Sequence, residues 1–281
     1  MAKETCFALH GGTAINLFIR EMPRLSVDID LTYIPIEDRS ISLKNIIEAL
    51  SSIKTNIERV VPKVKITLKE EILKLQVTTT KAQIKIEVNQ INRGVLGEIV
   101  ELPLCEKAQE EFNAFCAISV VSLGQLYGGK ICAALDRQHP RDLFDVKYLL
   151  QNEGFTNDIK KGFVLCLLSS NRPLNEMLQP NLIDQQETMV NQFEGMSSES
   201  FTYEDFEASR AQLIETIHGN LTAKDKEFLL SFNNLTPDWS IYDFERFPAV
   251  QWKLQNLKML KTKNIEKFNK FKVFLEEVLK E

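Results

Sequence analysis

The chain has 281 residues, enough for a substantial core and for more than one domain, and its 44% hydrophobic and 26% charged residues describe an ordinary globular composition. The net charge of −5 argues against a protein that coats nucleic acid non-specifically. Three histidines and five scattered cysteines without a Cys-x-x-Cys pair give little basis for a zinc enzyme or a Ser-His-Asp hydrolase.

Phe7-Ala8-Leu9 is a short apolar run that ends at Gly11-Gly12, and a helical pattern begins at Thr13, with Ile15, Phe18 and Ile19 on one face and Pro23 ending it. Val27 to Ile34 reads as a strand stopped by Pro35, and Ile41 to Ile53 as an amphipathic helix. Ile72 to Thr78 and Gln83 to Asn89 are β-rich runs at hairpin spacing. The first part therefore reads as a strand and a helix followed by a largely antiparallel meander. From about residue 107 the pattern becomes helical. Ser122 to Leu135, Arg141 to Leu150 and Trp252 to Lys280 carry helical spacing, and the stretches between them read as loops.

A boundary near Pro103–Lys107 follows, giving a core of residues 1–105 and a helical domain of residues 106–281. The fold class expected is α+β, with a small mixed β-sheet followed by helices. The longest apolar runs fall far short of a membrane span, and Met1-Ala2-Lys3-Glu4 opens no signal-peptide pattern, so no membrane partner and a cytoplasmic location are expected.

The chemistry concentrates near the amino end. Side chains alternate along a strand, so Val27, Ile29 and Leu31 share a core-directed face while Asp28 and Asp30 share the other. Two carboxylates so placed repel each other unless a cation lies between them, and Mg²⁺ suits one or two carboxylates plus substrate phosphates. In the run Ile84-Lys85-Ile86-Glu87-Val88-Asn89 the isoleucines and Val88 form the apolar face, and Glu87 and Lys85 occupy the polar face. Should this run lie beside the 27–34 strand, Glu87 completes a three-carboxylate cluster, able to hold two ions about 3.5–4 Å apart for phosphoryl transfer. Gly11-Gly12-Thr13 stands at a helix entry, where glycine backbone and free N–H groups suit a phosphate, although Thr13 also reads as a plain N-cap.

Leu9-His10-Gly11-Gly12-Thr13-Ala14 and Arg24-Leu25-Ser26-Val27-Asp28-Ile29-Asp30-Leu31 resemble the AbiEii-type nucleotidyltransferases, toxins within the DNA polymerase beta superfamily. Gly129-Lys130 to Arg137, then Pro140-Arg141-Asp142-Leu143-Phe144-Asp145-Val146, is a second match, more particular to that group. Pro248 to Leu257 is a third.

The resemblance implies a nucleotidyltransferase core with a helical carboxy-terminal domain. Mg²⁺ or Mn²⁺ would sit on Asp28, Asp30 and Glu87, and an NTP on Gly11, Gly12, Thr13, Ser26, Lys130 and Arg137. It adds Lys130 as a triphosphate contact and Asp142 and Asp145 as parts of the downstream motif. Its characterised relatives include toxins acting on the acceptor end of transfer RNA, usually encoded with an antitoxin. RNA, tRNA above all, and a cognate antitoxin are thus the implied partners. A protein or small-molecule acceptor, or a regulatory module without turnover, is the alternative.

From the residues alone, Lys130 and Arg137 lie seven apart, nearly on one helix stripe, and could bracket a triphosphate. Asp142 also suits the positive end of the helix it begins, and Asp145 could pair with Arg141. Residues 253–272 hold seven lysines against Glu266 alone, a natural backbone-binding surface for RNA. Trp252 reads as core, with a base-stacking platform as the other possibility.

Overall fold

The computed structural model describes residues 3–280, so the first two residues of the Met1-Ala2-Lys3-Glu4 segment lie outside the described residues. The chain divides into two compact units. The first comprises residues 1–122 with Ser197–Glu199, and the second residues 123–196 and 200–281.

Among the described residues the first unit is built on a seven-stranded mixed sheet. In chain order the elements are β1 (Phe7–His10), the short helix α1 (Gly11–Ala14) continued by a π-helical turn (Ile15–Ile19), β2 (Ile29–Tyr33), α2 (Arg39–Val60), β3 (Lys65–Lys69), β4 (Lys74–Thr78) and β5 (Gln83–Val88). They continue with β6 (Val100–Pro103), α3 (Glu106–Phe112) and β7 (Ala117–Val120). The strand order is β3-β4-β5-β2-β1-β7-β6. Strands β3, β4 and β5 form the expected antiparallel meander, whereas β2 pairs with β5 and β1 with β7 in parallel.

Strand β1 lies between β2 and β7, and its Phe7, Ala8 and Leu9 are buried as a continuous apolar run, as a central strand covered on both faces requires. Helix α2 buries Ile46, Ala49, Leu50 and Ile53, one stripe of its 22 residues. It extends well beyond the Ile41–Ile53 segment that its apolar spacing marks.

Several expectations are corrected. Strand β2 begins at Ile29, so Asp28 precedes it and Val27 is exposed rather than turned into the core. The cause lies in its neighbours: β1 ends at His10, opposite Asp30, and the chain turns into helix there, leaving no β1 partner for residues 27 and 28. Ile72 falls in a 3₁₀ turn, and Ile84 is exposed although Ile86 and Val88 are buried.

The first unit ends after Ser122 instead of near 105, because the 106–122 segment belongs to it. Strand β7 pairs with β1, and the Cys105 N–H donates to the Leu17 carbonyl at 2.8 Å. Leu104, Cys105 and Ala108 form a small core against Leu17, Phe18 and Met22. This contact fixes the helix that follows β1.

The second unit is helical: α4 (Leu123–Arg137), α5 (Pro140–Asn152), α6 (Asn157–Ser169), α7 (Leu174–Leu178), α8 (Gln186–Gln192), α9 (Tyr203–Asn220), α10 (Ala223–Asn233), α11 (Pro248–Lys263) and α12 (Ile265–Val278). Helices α4 and α6 meet backbone to backbone. A Cβ on Gly128 would lie 2.2 Å from the Gly162 carbonyl carbon, so no larger residue fits without separating the pair.

The segments expected as loops between 150 and 252 hold much of this unit. Thr202 and Thr222 close reciprocal capping boxes with Asp205 and Asp225 and start α9 and α10. The expected Trp252–Lys280 helix is two helices. Asn264 ends α11 and caps α12, its side chain accepting from the Lys267 N–H at 2.9 Å. Among the described residues no helix is long and apolar enough to cross a membrane.

Candidate active site

Three adjacent strands bring His10, Asp30 and Glu87 into one row. His10 on β1 faces Asp30 on β2, and Asp30 faces Glu87 on β5. Residues directly opposite in a sheet point to the same face, so the conditional placement of Glu87 beside the aspartate strand is realised. His10 is held by its Nδ1, 3.0 Å from Thr32 Oγ1, on the same face. Histidine at this position had no role in the sequence reading, although it sits inside the glycine motif.

The carboxylates have different partners. Glu87 is ion-paired with Lys74, its partner in the β4–β5 register. Asp28 Oδ1 lies 3.9 Å from Lys85 Nζ. The Asp30 carboxylate has neither a hydrogen bond nor an ion pair among the described residues. No three His, Cys, Asp or Glu side chains there are gathered as a ready metal cluster. The donor chemistry of Asp28 and Asp30 nevertheless fits a hard divalent cation, which takes carboxylate oxygens together with substrate oxygens. Glu87, in register with Asp30, is itself ion-paired with Lys74.

The start of α1 is shaped around Asp30. Gly11 has φ +76°, and a Cβ there would lie 2.6 Å from Asp30 Oδ2. A Cβ on Gly12 would lie 2.9 Å from Arg24 Nη2 and 3.0 Å from Ser26 Oγ. Arg24 is buried, and its Nη1 donates to the Leu25 carbonyl at 2.9 Å. Sequence reading missed this arginine because its contact with Gly12 crosses a turn.

Thr13 is not an N-cap. The helix begins at Gly11 without a side-chain cap, and Thr13 is buried in its first turn. Its hydroxyl lies 3.0 Å from Ser26 Oγ and donates to the Asp28 carbonyl. Thr13 and Ser26 thereby fix the segment that presents Asp28. The uncapped first-turn N–H groups of the glycine helix provide anion-binding chemistry beside Asp30.

Gly11→Ala should turn the Asp30 carboxylate aside and lower any turnover that uses it about 100-fold, the scale for an ångström of misplacement at a reacting centre. The same change costs on the order of 1–3 kcal/mol of stability through its left-handed backbone. Steady-state kinetics and thermal unfolding of the variant test both, and full activity would rule out the tight Gly11–Asp30 fit.

In the second unit Lys130 on α4 is buried, with Nζ 2.9 Å from Asp142 Oδ1 and 2.9 Å from Asp145 Oδ2, both on α5. Arg137, one stripe along α4, donates through Nε and, at 2.9 Å, through Nη2 to Asp142. Burial pushes the Asp142 carboxyl up. The Lys130 ammonium and then the Arg137 fork outweigh burial and hold it well below the usual carboxylate range.

Asp145 pairs with Lys130 rather than with Arg141. His139 caps α5 by accepting the Arg141 N–H at 3.1 Å, and Pro140 takes the first helical position, so this proline starts a helix as it interrupts another. Lys130 is thus clamped between two buried carboxylates, while the Arg137 side chain remains 60% exposed.

A family model described as "Nucleotidyl transferase AbiEii toxin, Type IV TA system" matches residues 1–256. The chain belongs to this family. It is a nucleotidyltransferase toxin of the type IV toxin–antitoxin class, with an NTP as substrate and an antitoxin as the partner that this class implies. The fold is similar to that of MenT4, a nucleotidyltransferase toxin from Mycobacterium tuberculosis, with a TM-score of 0.62 at 14% identity over 89% of this chain and 84% of that one. No curated protein matches the chain.

In this AbiEii protein the third matched segment, Pro248 to Leu257, reverses two expectations. Trp252 is 47% exposed, and Lys253 is buried beside it. The Lys253 ammonium donates to the carbonyls of Leu167 (3.1 Å), Ser170 (2.9 Å) and Arg172 (2.7 Å) at the carboxy end of α6. Burial pushes this lysine down to about 7. The basic surface of residues 253–272 consequently loses Lys253. Lys258, Lys261, Lys263, Lys267 and Lys270 stay exposed.

Proposed function

We propose that this AbiEii enzyme transfers a nucleoside monophosphate from an NTP to the 3′ end of RNA, the acceptor end of tRNA in particular, with a divalent cation. The observation that carries the reading is the Asp30 carboxylate. It is unpartnered, in register with Glu87, adjacent to Asp28 and closed on one side by the Gly11 turn. A carboxylate kept so, next to uncapped helix N–H groups, suits a metal-bound triphosphate.

Asp28 and Asp30 would hold Mg²⁺ or Mn²⁺, with Glu87 as the third acidic group once released from Lys74. The ion, when bound, neutralises charge on the triphosphate and its leaving group. The acceptor's 3′ oxygen forms a bond to the α-phosphorus, the bond to the bridging oxygen breaks, pyrophosphate departs and the hydroxyl proton is released to solvent. Gly11, Gly12 and Thr13 orient the phosphates through backbone N–H groups, and Ser26 with Thr13 keeps Asp28 in position.

Arg137, oriented by Asp142, is an exposed cation of the second motif. Buried Lys130 acts by fixing Asp142 and Asp145. The exposed Lys258, Lys261 and Lys263 of α11 favour an RNA acceptor over a protein or small molecule. The location expected is cytoplasmic, where NTP and tRNA are available.

Incubating the purified protein and its Asp30→Ala variant with total tRNA and each α-³²P-labelled NTP in Mg²⁺ tests this. Label should enter tRNA with the wild type alone. Label confined to protein or to a small molecule overturns the RNA acceptor.

A further inference from the structure

The second unit contains a cavity of about 140 Å³ between α11, the segment after α6 and the end of α10. Trp252 forms one wall with its half-exposed indole, and Asn233, Asn256 and Phe271 line the rest. Asn233 is 5% exposed, yet its side-chain amide makes no hydrogen bond among the described residues. That amide is not sealed in the core but lines the cavity, where a ligand can reach it. The half-buried Asn256 amide is likewise without a hydrogen bond.

Two amides, each offering an adjacent donor and acceptor, face a cavity walled by an aromatic plane. That is the chemistry that reads the edge of a flat heterocycle while stacking its face. The size agrees, since a cavity of roughly 150 Å³ takes one aromatic ring. The wall is rigid, because Lys253 directs its three donors to the carbonyls of Leu167, Ser170 and Arg172. Arg172 is itself paired with Asp136 and, at 3.8 Å, with Glu176, so the lining adds no uncommitted arginine for a phosphate. The groove that shares Phe271 holds Lys267 and Lys270 against Glu176, Glu266 and Glu277, which disfavours a phosphate track there.

The geometry points to a nucleobase pocket, in which Trp252 stacks and Asn233 and Asn256 hydrogen-bond one unpaired base. Under the RNA reading above, on which this inference rests, the base belongs to the acceptor strand. The same chemistry also suits the base of a free NTP.

Two measurements separate these sources. Fluorescence of the full-length protein, titrated with a short single-stranded RNA of mixed sequence and separately with each NTP, should show quenching that is absent in Trp252→Ala. In the transfer assay Trp252→Ala should raise KM for RNA about 10-fold with little change in kcat, and Trp252→Phe should recover most of the loss. A KM rise confined to the NTP keeps the pocket and assigns its base to the donor nucleotide. Asn233→Asp replaces the amide donor and should shift which base binds best.

The titrations need no turnover, so they test the pocket even if no RNA is labelled. Unchanged quenching and unchanged KM for both RNA and NTP in a folded Trp252→Ala protein would overturn it.

Discussion

Asp30→Asn should reduce nucleotidyl transfer by at least about 10³-fold, roughly 4 kcal/mol of transition-state stabilisation, without lowering the stability of the fold. Both halves follow from one observation. The Asp30 carboxylate has no hydrogen bond or ion pair among the described residues, so its charge stabilises nothing in the resting protein. An isosteric amide should therefore leave the unfolding free energy within about 0.5 kcal/mol of the wild type. The cost appears only when a triphosphate must be neutralised beside Gly11 and Gly12. Asp28→Asn should be as inactive, although it also releases Lys85 from a 3.9 Å pair. Chelation of divalent ions should reproduce the loss in the wild type. Measured kcat/KM and urea unfolding of Asp30→Asn decide the matter: residual activity above one tenth removes Asp30 from the reaction.

The part of this site that local spacing determines was legible in the chain. The Asp-x-Asp run beside a Gly-Gly-Thr turn marks a carboxylate pair near a phosphate-friendly helix start, and Lys130 and Arg137 share a helix stripe because seven residues make nearly two turns. The placement of Glu87 depended on which strand β5 would join, and the register with Asp30 supplied it. Partners fixed by distant chain were not legible. Lys74 reaches Glu87 only through the β4–β5 register, and Arg24 reaches Gly12 only across a turn. The first residue of β2 is set by the end of β1, which no property of Val27 reveals.

The second unit hid its logic differently. Thr202 with Asp205 and Thr222 with Asp225 were readable helix starts, but the segments that follow lack a strong single apolar face and read as connections. In α11 the choice between Trp252 and Lys253 depends on what the helix faces. The buried side meets the carboxy end of α6, where three carbonyls need a donor more than the core needs an indole.

That principle of buried partners governs the second large effect. Lys130→Met should destabilise the second unit by about 3–5 kcal/mol, because it removes the ammonium shared by two carboxylates that are each 1% exposed. Asp142 would retain Arg137, but Asp145 would lose its Lys130 partner. The expected shift in the thermal midpoint is on the order of 10 °C. Neutralising Asp145 as well should restore part of the loss, since Lys130→Met/Asp145→Asn removes both members of one pair.

The pH dependence has a definite sign. The Asp142 carboxyl is held below its unfolded value, so between the two values the unfolded chain binds more protons and stability rises with pH. Its contribution is complete above about pH 4 and is lost as the pH falls through the depressed folded value. Asp142→Asn should flatten that acid limb, whereas Asp30→Asn should leave it intact. Urea unfolding of the three proteins from pH 3 to 7 measures the slopes. Equal acid limbs for wild type and Asp142→Asn would show that the Lys130 clamp adds no charge-dependent stability.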